Sequence, residues 1–154
     1  MLVLPMSGSC AIECDGVRLT LDGRVSVFDE VTDFAYLPVG ATARITGEGR
    51  FAFPSARATR RLPVRYGPAD RVPVEVRGAG QATRQVNNFC APDAFDCDKL
   101  VAVEVLTPAA TGRPTRRTST TRLRSTRPSW RRSTTSRAAP ATSGCTARTT
   151  PWPR

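Results

Sequence analysis

One short run of this 154-residue chain, RQVNNF from Arg84 to Phe89, gathers side chains that could contact a ligand. Arg84 offers a fixed charge, and Gln85 offers an amide donor and acceptor. Asn87 and Asn88 add two more amides, so the run could bind a small polar ligand or a neighbouring subunit. A structural interpretation competes and is the one we favour: Asn pairs satisfy turn backbones, and the arginine pairs with a carboxylate.

Neither catalytic nor metal-binding residues emerge from the rest of the chain. The sequence has no histidine, and its five cysteines form no CxxC pair, which argues against a Cys/His zinc site. We expect Cys10 and Cys14 to share one face of a strand as small buried hydrophobes. We expect Cys90, Cys97 and Cys145 to be reduced as well, as is usual in the cytoplasm. The chain itself therefore predicts no cofactor.

Two further motifs have structural interpretations. Arg57, Arg60 and Arg61 in RATRR are expected in a solvated loop rather than at a phosphate site. Gly78 and Gly80 in RGAG lack the strand-then-helix context of a nucleotide-binding loop, so they are interpreted as turn glycines.

The elements that must position these residues are strands. Apolar residues alternate with polar ones in several short runs, and Asp15-Gly16 and Asp22-Gly23 are tight-turn signals. The expected strands are VRLTL, RVSVF, TDFAY, ATARIT (ended by GEG), RFAF, VPVEVRG and LVAVEVL. The stretch SARATRRLPVRYGPADRVP is expected to be a long surface connection. Short strands with regular turns predict an all-β sandwich or barrel.

Charge divides the chain at Pro108. Residues 1–108 carry 12 Lys and Arg against 13 Asp and Glu, a net charge of −1, whereas residues 109–154 carry 11 arginines and no acid. The large apolar side chains of the second part are Leu123, Trp130 and Trp152, too few to offset the entropy of ordering it. We therefore predict a folded domain over 1–108 and a disordered basic tail over 109–154.

The opening MLVLPM is too short for a signal peptide and no run of the sequence could span a membrane, so a cytoplasmic protein without a membrane partner is expected. The basic tail raises an alternative function: a small β domain whose arginines bind nucleic acid in a salt-dependent way. The tail has no lysine and no repeat, which argues against a specific nucleic-acid partner.

Five segments of the body resemble 5-deoxy-glucuronate isomerases: LPMSGSCAIECDG, LDGRVSVFDEVTDFAYLPVGA, FAFPSARATRRLPVRYGP, VPVEVRGAGQATRQVNNF and VAVEVLTP. The resemblance implies a bicupin, with two tandem jelly-roll-like barrels. It also implies interconversion of 5-deoxy-D-glucuronate and 5-dehydro-2-deoxy-D-gluconate in myo-inositol degradation, with a sugar acid as substrate and a divalent metal as cofactor. The oligomeric state is not implied. Positions where other cupins place metal ligands hold Ser9, Cys10, Ile12 and Glu13, so the body resembles the first barrel, which lacks the metal site.

The chain departs from this family at both ends. It begins almost at the LPMSGS strand, so the first barrel is expected to lack strands. After VEVLTP the family continues with a segment similar to GGNWSSYPPHKHD and then EEIYYF, which carry the histidines and glutamate of the metal site. Here the sequence continues AATGRPTRRTSTT. The resemblance therefore implies an incomplete barrel and an inactive chain.

Codon logic explains the tail as a shifted reading frame. If one base is restored after the Pro108 codon, residues 109–121 can encode GGNWSSYPPHKHD, with histidines at the positions of Thr118 and Thr120. In the same frame SWRRSTTSR can encode VLEEIYYFE, and GCTARTT can encode GVHRTYD. Acidic codons then reappear as Thr and Arg, which accounts for the loss of every acid. We predict that the tail is out-of-frame sequence.

Overall fold

The computed structural model describes residues 1–108, 118–125 and 145–148, and in these it is almost entirely β structure. This confirms the all-β prediction. No helix of the described residues is long and apolar enough to cross a membrane. Two single 3-10 turns lie at Ala69–Arg71 and Gly80–Ala82. The strands are β1 (Leu2–Cys14), β2 (Val17–Arg24), β3 (Phe34–Tyr36), β4 (Thr42–Ala52), β5 (Arg65–Gly67), β6 (Val74–Arg77), β7 (Arg84–Cys90), β8 (Leu100–Thr107), β9 (Thr118–Ser125) and β10 (Cys145–Arg148).

The first sheet is built around the long strand β1. Its order is β10-β4-β1-β3-β5, with β2 also paired to β1, and every pair is antiparallel. The β1–β2 hairpin turns at Asp15 and Gly16, whose φ angles are 52° and 75°. Two positive φ values are what a two-residue hairpin turn requires, so the predicted Asp-Gly turn is confirmed here.

The second Asp-Gly pair is not a turn. Strand β2 continues through Asp22 and Gly23 to Arg24, and the register with β1 shifts there, which marks a β-bulge. Gly23 has φ +70°, and a Cβ on it would lie 1.8 Å from the carbonyl oxygen of Gly8. Only glycine fits this close approach, so the dipeptide has the composition of a turn but the role of a bulge.

The expected strand RVSVF also differs from the structure, because β2 ends at Arg24. A turn follows, in which the backbone N–H of Asp29 donates to the Ser26 carbonyl. Val25 is 81% exposed, and Val27 is buried. Conversely, GEG does not end the next strand: β4 passes through it without interruption to Ala52.

The second sheet has the order β6-β7-β8-β9, again fully antiparallel. The run RQVNNF is its strand β7, so it is not a turn. Within the expected surface connection, the structure forms β5 and the first 3-10 turn, because residues 65–67 pair with β3.

Two apolar clusters lie on opposite sides of β1 and β3. Leu2 and Leu4 alternate with Val3, and Phe34 and Tyr36 alternate with Ala35, so these strands are buried on both faces. Cys10 and Cys14 belong to the first cluster, as predicted, and are free thiols. The first cluster is Val3, Cys10, Ile12, Cys14, Leu21, Ala35, Leu37, Ala41, Ala43, Ile45 and Phe51, and the second is Leu2, Leu4, Phe34, Tyr36, Val72, Phe89, Cys90, Leu100 and Ala102.

Two segments of the tail form strands, although a disordered tail was expected. Strand β9 pairs with β8 from Thr118↔Thr107 to Ser125↔Leu100, and β10 pairs with β4. Threonine favours extended backbone, and the free edges of β8 and β4 offer backbone hydrogen-bonding groups. A segment can pair with such an edge without an apolar core of its own. The other residues of 109–154 lie outside the described residues, so for them disorder stays a prediction.

Candidate functional site

A fully buried ion pair joins the two sheets. The guanidinium of Arg24 donates to both carboxylate oxygens of Glu104, from Nη1 to Oε2 at 3.0 Å and from Nη2 to Oε1 at 2.7 Å. Both side chains are 0% exposed. Arg24 ends β2 after the Gly23 bulge, and Glu104 stands on the buried face of β8, in line with Leu100 and Ala102.

Two further N–H groups of Arg24 are also used within the protein. Nε donates to the Pro5 carbonyl and Nη1 to the Glu30 carbonyl, each at 3.0 Å. A bidentate pair with further hydrogen bonds is the geometry that offsets the desolvation of two buried charges. The pair therefore fixes the sheets against each other, and its sealed carboxylate has no access to a substrate.

The predicted run at β7 extends this polar network. The Asn87 amide donates to Glu104 Oε2 at 3.0 Å, and the Gln85 amide donates to Asn87 Oδ1 at 2.9 Å. Asn88 lies on the opposite face of β7, where its amide donates to Glu75 Oε1 at 2.9 Å. Arg84 is exposed at the start of the strand.

The four residues thus separate into two groups on two faces. The structural interpretation was wrong in placing the asparagines in a turn, because they hydrogen-bond carboxylates from within a strand. Ligand contact by Arg84, Gln85, Asn87 and Asn88 stays a prediction. The sequence analysis missed Arg24 and Glu104. The signal was a glutamate in phase with the buried residues of LVAVEVL, since a charge on that face requires a buried partner.

A second buried carboxylate, Asp33, holds the β2 bulge. It accepts hydrogen bonds from the backbone N–H groups of Asp22 at 2.9 Å and Gly23 at 3.0 Å, and from the Tyr66 hydroxyl at 3.0 Å. Burial, followed by the hydrogen bond to Asp33, raises the pKa of Tyr66 to about 12. Burial, followed by the charge of Asp33, raises the pKa of Cys10 to about 11, so this thiol is not a nucleophile at neutral pH.

A cavity of about 160 Å³ opens beside Asn88. Four aromatic side chains, one arginine and one amide are among its lining residues: Phe34, Tyr66, Phe89, Phe95, Arg71 and Asn88. The Tyr66 hydroxyl donates to Asp33, and the raised pKa keeps it protonated, so the cavity wall offers no base at neutral pH.

The expectation of reduced thiols is wrong for one pair: a disulfide joins Cys90, at the end of β7, to Cys97. Their Cα atoms are 6.6 Å apart, within the range that a disulfide spans. The seven-residue separation is not a recognised spacing, so the sequence did not signal it. The closed loop carries Phe95, whose ring packs 4.9 Å from the Phe34 ring and lies 4.6 Å below the Arg65 guanidinium.

The RATRR loop is exposed, as predicted, but it is also tied down. Asp98 accepts from the backbone N–H groups of Thr59 at 2.6 Å and Arg60 at 3.0 Å, and these bonds lower the pKa of Asp98. Arg61 pairs with Asp15 at 2.6 Å. Arg60 and Arg61 therefore serve the fold.

The described residues do not fit a divalent metal. No group of three or more His, Cys, Asp or Glu side chains in the described part of the chain could hold one. At the family's hairpin positions on β1, Ser9 and Glu13 are exposed while Cys10 and Ile12 point into the first cluster. We derive no chemical step through a metal from these residues.

Comparisons with known proteins give one consistent result. A sequence profile of the KduI/IolB family matches residues 1–112. The chain is 33% identical over 88 residues to a 5-deoxy-glucuronate isomerase of Geobacillus kaustophilus (strain HTA426), covering 55% of this chain and 32% of that protein. The crystal structure of an IolB-like protein from Salmonella typhimurium LT2 superposes with a TM-score of 0.59 at 26% identity, over 70% of this chain and 42% of the other. The chain thus spans about a third of the length of that isomerase.

Proposed function

The chain belongs to the KduI/IolB family, and from that premise we propose that it represents the metal-free barrel of a 5-deoxy-glucuronate isomerase, an enzyme of aldose–ketose isomerisation. The match of the family profile over residues 1–112 carries the proposal. The curled antiparallel sheets and the IolB-like neighbour agree with a cupin-like barrel. The sugar-acid substrate is assigned by likeness to the named isomerase.

In this proposal the body is a scaffold, because the two buried carboxylates of the described residues, Glu104 and Asp33, are already engaged. Glu104 accepts three hydrogen bonds from Arg24 and Asn87, and Asp33 accepts from two backbone N–H groups and from Tyr66. Isomerisation of an aldose to a ketose requires a base that moves a proton between neighbouring carbons. Neither carboxylate is free for that task, so we propose that the 154-residue chain is inactive by itself.

We further propose that residues 109–154 are read in a shifted frame and replace the catalytic barrel. The support is compositional and codon-based: eleven arginines without an acid, and three family-like strings in a single restored frame. The metal-ligating histidines would return at the positions of Thr118 and Thr120. The lack of histidine in the whole chain accords with this displacement.

The experiment compares two purified proteins: the 154-residue chain, and the product of the same gene with one base inserted after the Pro108 codon. Each is incubated with 5-deoxy-D-glucuronate and a divalent metal, and the ketose product is quantified. We expect turnover only from the restored protein. Turnover by the 154-residue chain would overturn the inactivity, and a folded restored protein without turnover would overturn the assigned substrate.

A restored frame that stops at once would refute the shift and leave the basic tail as native sequence. The alternative, a β domain with an arginine-rich nucleic-acid-binding tail, would then be favoured. Its signature is RNA affinity that falls steeply with salt, since each phosphate contact releases a counterion.

A further inference from the structure

Strand β6 presents an open edge. It is the outermost strand of the sheet β6-β7-β8-β9, and no other described strand pairs with its outer side. Its two valines are among the more exposed large apolar side chains, with Val74 48% and Val76 72% exposed. Edge strands expose backbone groups that can pair with another strand, and exposed apolar residues add surface to bury.

The register with β7 shows which backbone groups face outward. The Asn88 N–H donates to the Pro73 carbonyl at 2.9 Å, so Pro73 faces β7. Residue pairs in an antiparallel ladder alternate between hydrogen-bonded and non-hydrogen-bonded. The backbone N–H and C=O groups of Glu75 and Arg77 therefore also point toward β7. The backbone N–H and C=O groups of Val74 and Val76 therefore point outward from the free edge of the sheet, away from β7.

The charges on this edge are self-complementary. Glu75 and Arg77 form an exposed ion pair, with Arg77 Nη2 2.5 Å from Glu75 Oε2. Along β6, apolar and charged residues therefore alternate: a valine, an acid, a valine and a base. Two antiparallel copies of this strand can pair so that the acid of one lies opposite the base of the other. We propose that β6 is a homodimer interface, where it pairs with β6 of a second copy about a twofold axis at Val76.

One register satisfies both the backbone and the charges. With the axis at Val76, the outward N–H and C=O groups of Val76 form hydrogen bonds with those of Val76 in the second copy. Glu75 then lies opposite the partner's Arg77. A twofold axis at Glu75 sets two glutamates face to face, and one at Arg77 sets two arginines face to face, which is destabilising.

A fourth register, with the axis at Val74, sets Val76 opposite the partner's Val72. The Val72 N–H already donates to the Ala69 carbonyl, so that position has no free donor. This register also forms no ion pair across the axis. The axis at Val76 joins two four-stranded sheets into one continuous sheet.

The test measures the dimer dissociation constant of the full chain by sedimentation at about 0.15 M salt, where long-range charge repulsion is screened. Val76→Pro removes an outward N–H and leaves the ladder to β7 intact. We expect dimers in the unmodified chain and at least about tenfold weaker dimerisation in Val76→Pro, equivalent to about 1.4 kcal/mol. A chain that is monomeric at every concentration, or a dimer that Val76→Pro leaves unchanged, overturns the proposal.

Charge exchange gives a second arm that does not depend on proline. Glu75→Arg alone and Arg77→Glu alone each place like charges across the axis twice, so both should weaken dimerisation about tenfold. The double variant Glu75→Arg/Arg77→Glu should restore it to within about threefold, because unlike charges face each other again. The matched control exchanges the exposed pair Glu13 and Arg18 and should change nothing. Failure of the double variant to recover, with thermal melting that shows it folded, overturns the proposal.

Discussion

At the scale of single residues, Arg24–Glu104 is the one ion pair among the described residues whose side chains are both fully buried. Both partners are 0% exposed, and Glu104 also accepts from Asn87, so three elements converge on one carboxylate. A buried charge that loses its partner is far more costly than a pair that is removed whole.

We expect Glu104→Leu to destabilise the protein by about 3–5 kcal/mol, because Arg24 is left charged and unpaired in the core. Urea unfolding followed by circular dichroism measures the change. The double variant Arg24→Met/Glu104→Leu should recover most of this loss, since an apolar pair of similar volume is often neutral.

The control for that prediction is an exposed pair. Glu13→Leu disrupts the 3.9 Å contact with Arg18 at the surface and should shift stability by no more than about 0.5 kcal/mol. If Glu104→Leu is also within about 1 kcal/mol of the unmodified chain, the structural role of the buried pair is refuted.

Tyr66 offers a pH-dependent prediction. The chain has two tyrosines, so Tyr36→Phe leaves Tyr66 as the single phenol. Its ultraviolet titration should have a midpoint near pH 12, because burial and the hydrogen bond to Asp33 favour the neutral form. The folded pKa is raised, so the stability from this group is full below its unfolded pKa of about 10 and is lost as pH rises toward 12.

The observation that would contradict this is a tyrosinate midpoint near pH 10 while circular dichroism still shows a folded protein. Tyr66→Phe supplies the companion measurement. Its unfolding free energy should fall less steeply between pH 10 and 12 than that of the unmodified chain, because the linked proton is gone.

At the scale of elements, β3 and β5 depend on the absence of a side chain at Gly67. A Cβ there would lie 2.3 Å from the ring of Phe34, which packs edge-on against Phe89 at 5.6 Å. Gly67→Ala should cost about 1–3 kcal/mol through overpacking, measured by urea unfolding. In the double variant Gly67→Ala/Phe34→Leu, the loss of unfolding free energy should be smaller than the sum of the two single losses by at least about 0.5 kcal/mol.

Gly16→Ala is the matched control, because no atom lies within 4 Å of its Cβ position and its cost is backbone strain alone. Its effect should add simply to that of Phe34→Leu. Simple additivity of Gly67→Ala with Phe34→Leu would show that the glycine does not make room for the ring.

The sequence predicted the strands whose one face is buried and missed features set by distant contacts. The alternation around Ile45 marked β4, and Asp15-Gly16 marked a hairpin, because both signals are local. Asp22-Gly23 has the same local signal but forms a bulge, since Asp33 binds its backbone from eleven residues away. Likewise, RQVNNF forms a strand because β6 and β8 flank it, and pairing partners are not visible within a single segment.

At the scale of the whole molecule, the two sheets form a folded body whose polar interior is structural. The family likeness was accessible from sequence, because long motifs occur in order. The buried pair that joins the sheets was not, because Arg24 and Glu104 are 80 residues apart. The tail carries the excess charge, and on our account that charge is a consequence of the shifted frame.

The central claim is that the catalytic half of an isomerase lies in the other reading frame beyond Pro108. The most direct measurement is the nucleotide sequence of this gene from that codon onward, read with one base restored. The account predicts a long open frame with histidines at the positions of Thr118 and Thr120, followed by EEIYYF. A stop codon soon after Pro108, or an open frame without these histidines, would contradict it.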